Sequence, residues 1–272
     1  MPITPIFNPE KMGRPMRVAA FMSGSGTNIT RLIEREKELE TREATSPFQV
    51  IFIFSDRSDG VCAGEKIAYE NGLPYFSCDI RTFHRVRSLK RSVKTPAGLA
   101  ARKEYDRVAK GLVETFGIDV IALGGYMSYI TLNRCVNVHP ADLSICLSDG
   151  RRKYVGDNAV RDAIYAGETT LRASTLWTDE GVDTGPLLMV SEPLFVELPE
   201  PLENMTKDKE KFLEIVDEHQ ERLKAVGDWK IFPLSIEMIS RGRFALDEKN
   251  NVYVDGEPVP DGYKEKTVAF YS

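Results

Sequence analysis

An asparagine and a histidine, Asn137 and His139, stand two residues apart in the segment CVNVHPADLS, between an apolar run and a proline. Side chains alternate along a strand, so both would lie on one side, and Pro140 favours an extended backbone at His139. This pair suits acyl chemistry, because an amide stabilises a developing oxyanion and an imidazole gives or takes a proton. A buried histidine satisfied by a backbone carbonyl remains the alternative.

A third candidate is Asp183, which lies in DEGVDTGPLL between two predicted strands. A carboxylate on this loop would orient the imidazole of His139 and tune its proton transfer. Gly181 and Gly185 would let the loop approach a ligand, although they would serve a plain hairpin equally well. Asn137, His139 and Asp183 are therefore our candidate catalytic residues.

The glycine-rich turn SGSGTN follows a short apolar run and precedes apolar residues at helical spacing. Backbone amides at a helix N-terminus bind anions, and the hydroxyl and amide side chains add donors. The turn lacks the third glycine of a dinucleotide fingerprint and the Gly-Lys-Ser/Thr of a P-loop. We therefore predict a site for one phosphate monoester, with a ligand-free turn as the alternative. Its residues are Gly24, Ser25, Gly26, Thr27 and Asn28.

The elements around these motifs alternate between buried strands and helices, a pattern typical of a parallel α/β sheet. FQVIFIFSD, DVIALGGYM and CVNVHP read as strands covered on both faces. Helices are predicted from about Ala97 to Phe116, from Asp157 to Gly167 and from about Ile231 to Arg241. Open α/β sheets bind ligands at the carboxyl ends of their strands, so Met127 and His139 are expected there.

We predict one doubly wound, mostly parallel, Rossmann-like α/β domain over residues 17–200. An N-terminal tail, residues 1–16, precedes it, and a helical and β extension, residues 201–272, packs on the same domain. The basic stretch Arg81 to Lys94 is predicted to be a surface excursion that exposes His84, whereas His219 lies on the apolar face of a helix and is predicted to be buried.

Composition restricts the class of protein. A net charge of -5 and a charged fraction of 28% argue against general binding to nucleic acids or membranes. The four cysteines lack metal-site spacing, so we predict no metal and reduced thiols in a cytoplasmic protein. No run of about 18 apolar residues occurs. Small-molecule substrates are the expected partners, and a homodimer is left open.

Four motifs, SGSGTN, GGYM, NVHP and DEGVDTGP, occur in an order and at intervals that resemble the folate-dependent formyltransferases. The resemblance is strongest to the phosphoribosylglycinamide (GAR) formyltransferases of purine biosynthesis and runs from about Arg17 to the end of the chain. It implies that the amine of glycinamide ribonucleotide attacks the formyl carbon of a co-substrate, 10-formyltetrahydrofolate. It also implies that neither a metal nor a covalent enzyme intermediate takes part.

The resemblance assigns roles to residues of this chain. Asn137, His139 and Asp183 match the family's catalytic residues, and the turn from Gly26 to Asn28 matches its ribonucleotide phosphate loop. The remaining matches concern the substrate pocket: Arg102 near the folate, Met127 in the wall shared by both substrates, Ser128 in place of a family arginine, and Asp228 in place of a glutamate that holds ribose hydroxyls.

Three segments depart from the family pattern. Only YITLNRC separates Ser128 from Val136, and the segment after His139, ADLSICLSDGRRKYVGDNAV, is longer and more basic than in the family. The arginine-rich stretch from about Arg85 to Lys94 is extra. Together these changes alter the walls of the predicted site. The alternatives are a formyltransferase for another amine, such as an amino sugar nucleotide, a 10-formyltetrahydrofolate deformylase that uses water, and a catalytically silent module that binds a folate or a nucleotide.

Overall fold

The computed structural model describes residues 2–264, which form strands and helices in alternation. The strands are β1 (Thr4–Pro5), β2 (Met16–Met22), β3 (Phe48–Ser55), β4 (Tyr75–Ser77), β5 (Val120–Leu123), β6 (Cys135–His139), β7 (Thr170–Leu171), β8 (Ser174–Trp177), β9 (Leu187–Val190), β10 (Leu194–Phe195), β11 (Phe244–Leu246), β12 (Val252–Val254) and β13 (Glu257–Pro258). The helices are α1 (Pro9–Met12), α2 (Thr27–Glu43), α3 (Gly64–Glu70), α4 (Ile80–Val86), α5 (Pro96–Thr115), α6 (Ala159–Tyr165), α7 (Leu202–Met205), α8 (Lys209–Leu223) and α9 (Trp229–Ser240). A π-helical turn, Lys224–Asp228, joins α8 to α9.

The central sheet has seven strands in the order β4-β3-β2-β5-β6-β8-β9. Strands β2 to β6 are parallel, whereas β8 is antiparallel to β6 and β9 is antiparallel to β8. The chain first runs outward from β2 to β4 and then returns past β2 to β5. This reversal opens a crevice at the carboxyl ends of β2 and β5. The predicted doubly wound, mostly parallel sheet is therefore confirmed.

Strand β2 is apolar without alternation because helices cover both faces of the sheet. Val18, Ala20 and Met22 belong to the core on the side of α2 and α9. Ala19 and Phe21 belong to the core on the side of α5, which is rich in aromatic rings. The layered packing makes the strand ends a rigid base for the loops that follow them.

Both ends of the described chain attach to this body. Strand β1 pairs with β11 in a small four-stranded sheet, so the N-terminal segment is held by a strand from the C-terminal part. Helix α9 packs on α2 and on the central sheet. Tyr263 donates its backbone N–H to Leu188 at 2.8 Å, beside β9. The last residues of the predicted extension, 265–272, lie outside the described residues.

Two local predictions were wrong, namely the exposure of His84 and the start of helix α6. The stretch Arg81 to Lys94 does lie mostly at the surface, but it contains the end of helix α4. This helix begins after Asp79 because that carboxylate accepts a 2.6 Å hydrogen bond from the backbone N–H of Thr82. Helix α4 packs the Phe83 ring against Tyr105 and buries His84, which is 4% exposed. Helix α6 begins at Ala159 rather than at the predicted Asp157.

The prediction for His219 is confirmed, since this side chain is buried. Its Nε2 accepts a hydrogen bond from the backbone of Glu197 at 3.1 Å, while Nδ1 lies 2.8 Å from the carbonyl oxygen of Ile215. Both ring nitrogens are therefore satisfied by backbone groups. Among residues 2–264, none of the helices combines the length and the apolar character needed to cross a lipid bilayer.

Candidate active site

Two neighbouring cavities open above the carboxyl ends of β2, β5 and β6. The His139 cavity has a volume of about 520 Å³ and is lined by Asn137, His139 and Asp183. The Gly26 cavity has a volume of about 500 Å³ and is lined by the SGSGTN turn. Both volumes suit small molecules. The two cavities share a wall formed by Asn28, Gly125, Met127, Ser128, Gln220 and Lys224.

The candidate catalytic residues meet in the His139 cavity. His139 Nδ1 lies 3.4 Å from Asp183 Oδ2, and both side chains are less than a tenth exposed. His139 Nε2 lies 3.1 Å from the carbonyl oxygen of Tyr154. Both ring nitrogens thus face acceptor oxygens, which an imidazolium satisfies by donating to both. Asn137, two residues earlier on β6 and therefore on the same side of the strand, lines the same cavity.

Asp183 reaches His139 through a loop that folds back over the sheet. Strand β8 runs antiparallel to β6, so Ser174 lies beside His139 while Trp177 lies beside Val136. The loop after Trp177 therefore starts near the N-terminal end of β6 and must fold back towards the C-terminal end, where His139 lies. Gly185 permits this close return, because a Cβ there would come within 2.0 Å of the Trp177 carbonyl oxygen.

Asp183 itself has a left-handed backbone, with φ of 54°. An L-residue adopts this conformation only where its surroundings hold it. The backbone N–H of Gly156 donates to Asp183 Oδ2 at 2.9 Å. The guanidinium of Arg152 donates to the carbonyl oxygens of Asp183 and Gly185. Asp183 is therefore fixed by the segment between β6 and α6.

The SGSGTN turn leaves the N-terminus of α2 open to an anion. Gly26, the residue before the helix, has φ of 71° and supplies no capping side chain to the first backbone amides of α2. The left-handed backbone of Gly26 favours glycine, and a Cβ there would also come within 2.4 Å of Met22 Cε. Arg57, Arg81 and Lys224 line the same cavity, where Arg57 also pairs with Asp59 and Lys224 with Glu221. The arrangement fits a phosphate.

Asp228 closes the π-helical turn and lines the His139 cavity. Burial raises the pKa of its carboxyl from 3.8 to about 6, while hydrogen bonding from the Asn28 side chain acts in the opposite direction. Its Oδ1 is buried and, among the described residues, has no hydrogen-bond partner. A ligand hydroxyl in the cavity would satisfy this oxygen.

Met127 and Ser128, two predicted pocket residues, lie in the wall shared by both cavities. Met127 is 69% exposed and forms an apolar surface there, and its backbone N–H donates to Ser23 Oγ at 2.9 Å. Ser128 Oγ donates to Asp56 Oδ2. Asp56 is buried, and its Oδ1 has no partner in the described part of the chain.

Arg102, predicted near the folate site, lines neither the His139 cavity nor the Gly26 cavity. Its buried guanidinium pairs with Asp106 at 2.9 Å and donates to the Tyr126 hydroxyl at 3.1 Å. It lines a separate cavity of about 200 Å³, which it shares with His84 and Ser128. Arg102 thus lies behind the His139 cavity, with its charge already neutralised.

Sequence reasoning missed several residues of the site. Asp56 follows β3 directly, so the rule that ligands bind at carboxyl ends of parallel strands pointed to it. Arg152, Tyr154 and Gly156 lie in the segment that departs from the family pattern, and no sequence signal gave their contacts. Within residues 2–264, His, Cys, Asp and Glu side chains form no group of three that could hold a metal ion.

Comparisons with known proteins point in one direction. A family model described as formyl transferase matches residues 16–214. The phosphoribosylglycinamide formyltransferase of Haemophilus influenzae is 24% identical over 257 residues, which cover 91% of this chain and 98% of that protein. The trifunctional purine biosynthetic protein adenosine-3 of Homo sapiens is 23% identical over 243 residues, which cover 87% of this chain. The match spans only 19% of that longer relative.

Solved structures give the same fold. The phosphoribosylglycinamide formyltransferase of Coxiella burnetii, solved with CHES, superposes with a TM-score of 0.65 at 21% identity, over 92% of this chain and 99% of that one. A formyltetrahydrofolate deformylase of Pseudomonas syringae superposes with a TM-score of 0.56 at 16% identity, over 89% of this chain and 66% of that one.

The buried carboxyl of Asp228 gives a pH-dependent stability. Below pH 3.8 it is protonated in both folded and unfolded chains, whereas above about pH 6 the folded chain holds a buried charge. The rise in pKa corresponds to about 3 kcal/mol. Asp228→Asn should therefore raise the free energy of unfolding by up to ~3 kcal/mol at about pH 8 and by little at about pH 4, as measured by urea denaturation.

The control is Asp217→Asn, on the exposed face of α8. Its effect on the free energy of unfolding should be small at both pH values. An effect of Asp228→Asn that does not grow as the pH rises would contradict a charge penalty at this position.

Proposed function

Because the chain belongs to the formyl transferase family, we propose that it transfers a formyl group from 10-formyltetrahydrofolate to the amine of glycinamide ribonucleotide. The observation that carries the proposal is the shared wall between two cavities. One cavity holds an anion site at the start of α2, and the other holds Asn137, His139 and Asp183. A phosphorylated amine bound across the wall would bring its nitrogen to the candidate catalytic residues.

The proposed chemistry forms one C–N bond and breaks another. The acceptor amine attacks the formyl carbon, and the bond from that carbon to the folate nitrogen breaks. The amine nitrogen loses one proton and the folate nitrogen gains one, so the reaction balances. Asn137 donates its amide N–H to the formyl oxygen as negative charge develops there. His139 adds a second donor, since its 3.4 Å contact with Asp183 is long enough to be shared with that oxygen.

Asp183 has two tasks in this proposal. Its carboxylate lies 3.4 Å from Nδ1 of the His139 ring and so orients that ring in the cavity. It also offers an acceptor for the amine proton, relayed through water. Neither task requires a covalent bond between the protein and a substrate.

The surrounding residues divide between the two substrates. The amides of Gly24 to Asn28 bind the phosphate, with Lys224 nearby, and Asp228 Oδ1 accepts from a ribose hydroxyl. Met127 supports both substrates from the shared wall, Ser128 contacts the folate side, and Arg102 acts from behind this wall. Residues 17–200 form the formyltransferase unit in this proposal, and residues 201–272 complete its site through Asp228.

A second candidate is transfer to a different phosphorylated amine. The observation that favours it is the buried carboxylate of Asp56, whose Oδ1 lacks a partner among residues 2–264 and which lines the Gly26 cavity beside Ser128. An unsatisfied carboxylate oxygen favours a ligand with an additional N–H or O–H donor. Turnover with such an amine but not with glycinamide ribonucleotide would identify this case.

The acceptor is tested by mixing the protein with 10-formyltetrahydrofolate in the presence and absence of glycinamide ribonucleotide. Folate absorbance and released formate are followed together. We expect folate product to form only with the ribonucleotide, and no formate without an amine. Formate release in the absence of amine would identify water as the acceptor, and binding of both ligands without turnover would identify a silent module.

Asn137→Ala tests the oxyanion donor. Removing one such donor costs about 10²–10³ in turnover, so kcat should fall by that factor while KM for both substrates changes little. The matched control is Asn133→Ala, an exposed asparagine in the loop before β6, which should keep the wild-type kcat. A change confined to KM in Asn137→Ala would assign this residue to ground-state binding instead.

A further inference from the structure

We define the Asp183 loop as Thr178–Pro186. The segment between β6 and α6 contacts both this loop and His139, through every second residue from Arg152 to Gly156. Arg152 Nη1 and Nη2 donate to the carbonyl oxygens of Asp183 and Gly185 at 2.5 and 2.8 Å. The Tyr154 carbonyl oxygen lies 3.1 Å from His139 Nε2, and the Gly156 N–H donates to Asp183 Oδ2 at 2.9 Å.

This segment is itself well anchored. Backbone hydrogen bonds join Leu147 to Arg151 and Lys153 to Ile145, so residues 145–153 form a small hairpin with its turn at Gly150. The hairpin is tied to the turn after α6, because the Tyr154 hydroxyl donates to Glu168 at 2.6 Å and Lys153 pairs with the same carboxylate at 3.0 Å. The backbone position of Arg152 is therefore fixed by the hairpin and by its contacts with Glu168.

The chemistry of Arg152 fits a clamp better than an ion pair. Nη1 and Nη2 donate to two carbonyl oxygens on either side of Thr184. The planar guanidinium holds these two donors at a fixed separation, whereas the donors of a lysine ammonium all lie on one nitrogen at the end of a flexible chain. These two carbonyls belong to the part of the Asp183 loop that has to fold back. The left-handed backbone of Asp183 adds strain that the clamp would resist.

Arg152 is absent from the lining of both the His139 cavity and the Gly26 cavity. Burial lowers the pKa of its guanidinium, while the nearby charges of Cys146, Asp179 and Asp183 raise it. A guanidinium remains charged under such conditions. The side chain is therefore placed to act through the loop rather than on a substrate.

We propose that Arg152 is a positioning residue, which holds the Asp183 loop so that the Asp183 carboxylate stays in contact with His139. The effect on rate rests on the proposed formyl transfer, whereas the effect on the loop does not. In this role Arg152 sets kcat without contributing to substrate binding.

The test compares Arg152→Ala and Arg152→Lys with Arg151→Ala, a neighbouring arginine that is exposed and pairs only with Asp149 among the described residues. Residues that orient metal ligands contribute about 10–100-fold to activity, and we take the same range for a residue that orients a catalytic carboxylate. We expect kcat to fall by about that factor in both Arg152 variants, with KM for either substrate nearly unchanged. Added guanidinium should restore part of the activity of Arg152→Ala only.

A second readout does not depend on the acceptor. Amide hydrogen exchange, followed by mass spectrometry, should be faster in residues 178–186 of both Arg152 variants, with an unchanged melting temperature. If the wild type shows no turnover with glycinamide ribonucleotide, the proposed function fails while this readout still tests the clamp. If Arg152→Ala does not fold, hydrogen exchange in residues 178–186 is measured on Arg152→Lys instead.

Two outcomes would overturn the proposal. Wild-type exchange in the Asp183 loop together with wild-type kcat would show that Arg152 positions nothing. Loss of kcat in parallel with a fall in melting temperature, without rescue by guanidinium, would show a general role in stability.

Discussion

The contact between His139 and Asp183 depends on a loop that folds back along the sheet, because the strand before this loop ends far from His139. Strand β8 runs antiparallel to β6, so the loop that follows it begins beside Val136, at the opposite end from His139. The loop must fold back over the sheet and leave Asp183 in a left-handed conformation. The loop can take this path because Gly185 has no Cβ to clash with the Trp177 carbonyl oxygen. Hydrogen bonds from the segment between β6 and α6 hold Asp183 in place. The rest of the site is arranged around this fixed pair.

Charge is distributed unevenly around that pair. The chain carries a net charge of -5, yet the Gly26 cavity gathers Arg57, Arg81 and Lys224 beside the amides of α2. Carboxylates are buried at Asp56 and Asp228, each with one oxygen that lacks a partner among residues 2–264. Buried polar atoms without partners are costly, so each oxygen requires a donor, such as an ordered water, that the side chains of residues 2–264 do not supply. The two cavities thus combine basic side chains and helix amides with buried carboxyl groups.

The fold could be predicted from the sequence because its strands are covered on both faces and are therefore apolar without alternation. The Gly26 turn and the pair Asn137 and His139 could be predicted for a related reason, since glycine in a strand-to-helix turn and alternation along a strand have local physical causes. Contacts between distant segments could not. The clamp from Arg152 to the Asp183 loop depends on a hairpin and a loop meeting in space, and no local pattern encodes that meeting.

The burial of His84 was missed for the same reason. Its surroundings in sequence are basic and favour an exposed segment, but helix α4 packs on α5 and turns that histidine inward. Arg102 and Asp106 lie four residues apart on α5, where side chains of opposite charge can pair, and the structure shows that they do. The separation of Arg102 from the His139 cavity depends on how α5 packs on the sheet, which no local spacing encodes.

A crystal structure of the protein with glycinamide ribonucleotide bound would test the proposed site most directly. We expect the phosphate to accept hydrogen bonds from the backbone amides at Gly26 to Asn28, and the amine to cross the shared wall into the His139 cavity beside Asn137. A phosphate bound outside the Gly26 cavity, or an amine directed away from Asn137 and His139, would contradict the proposed site.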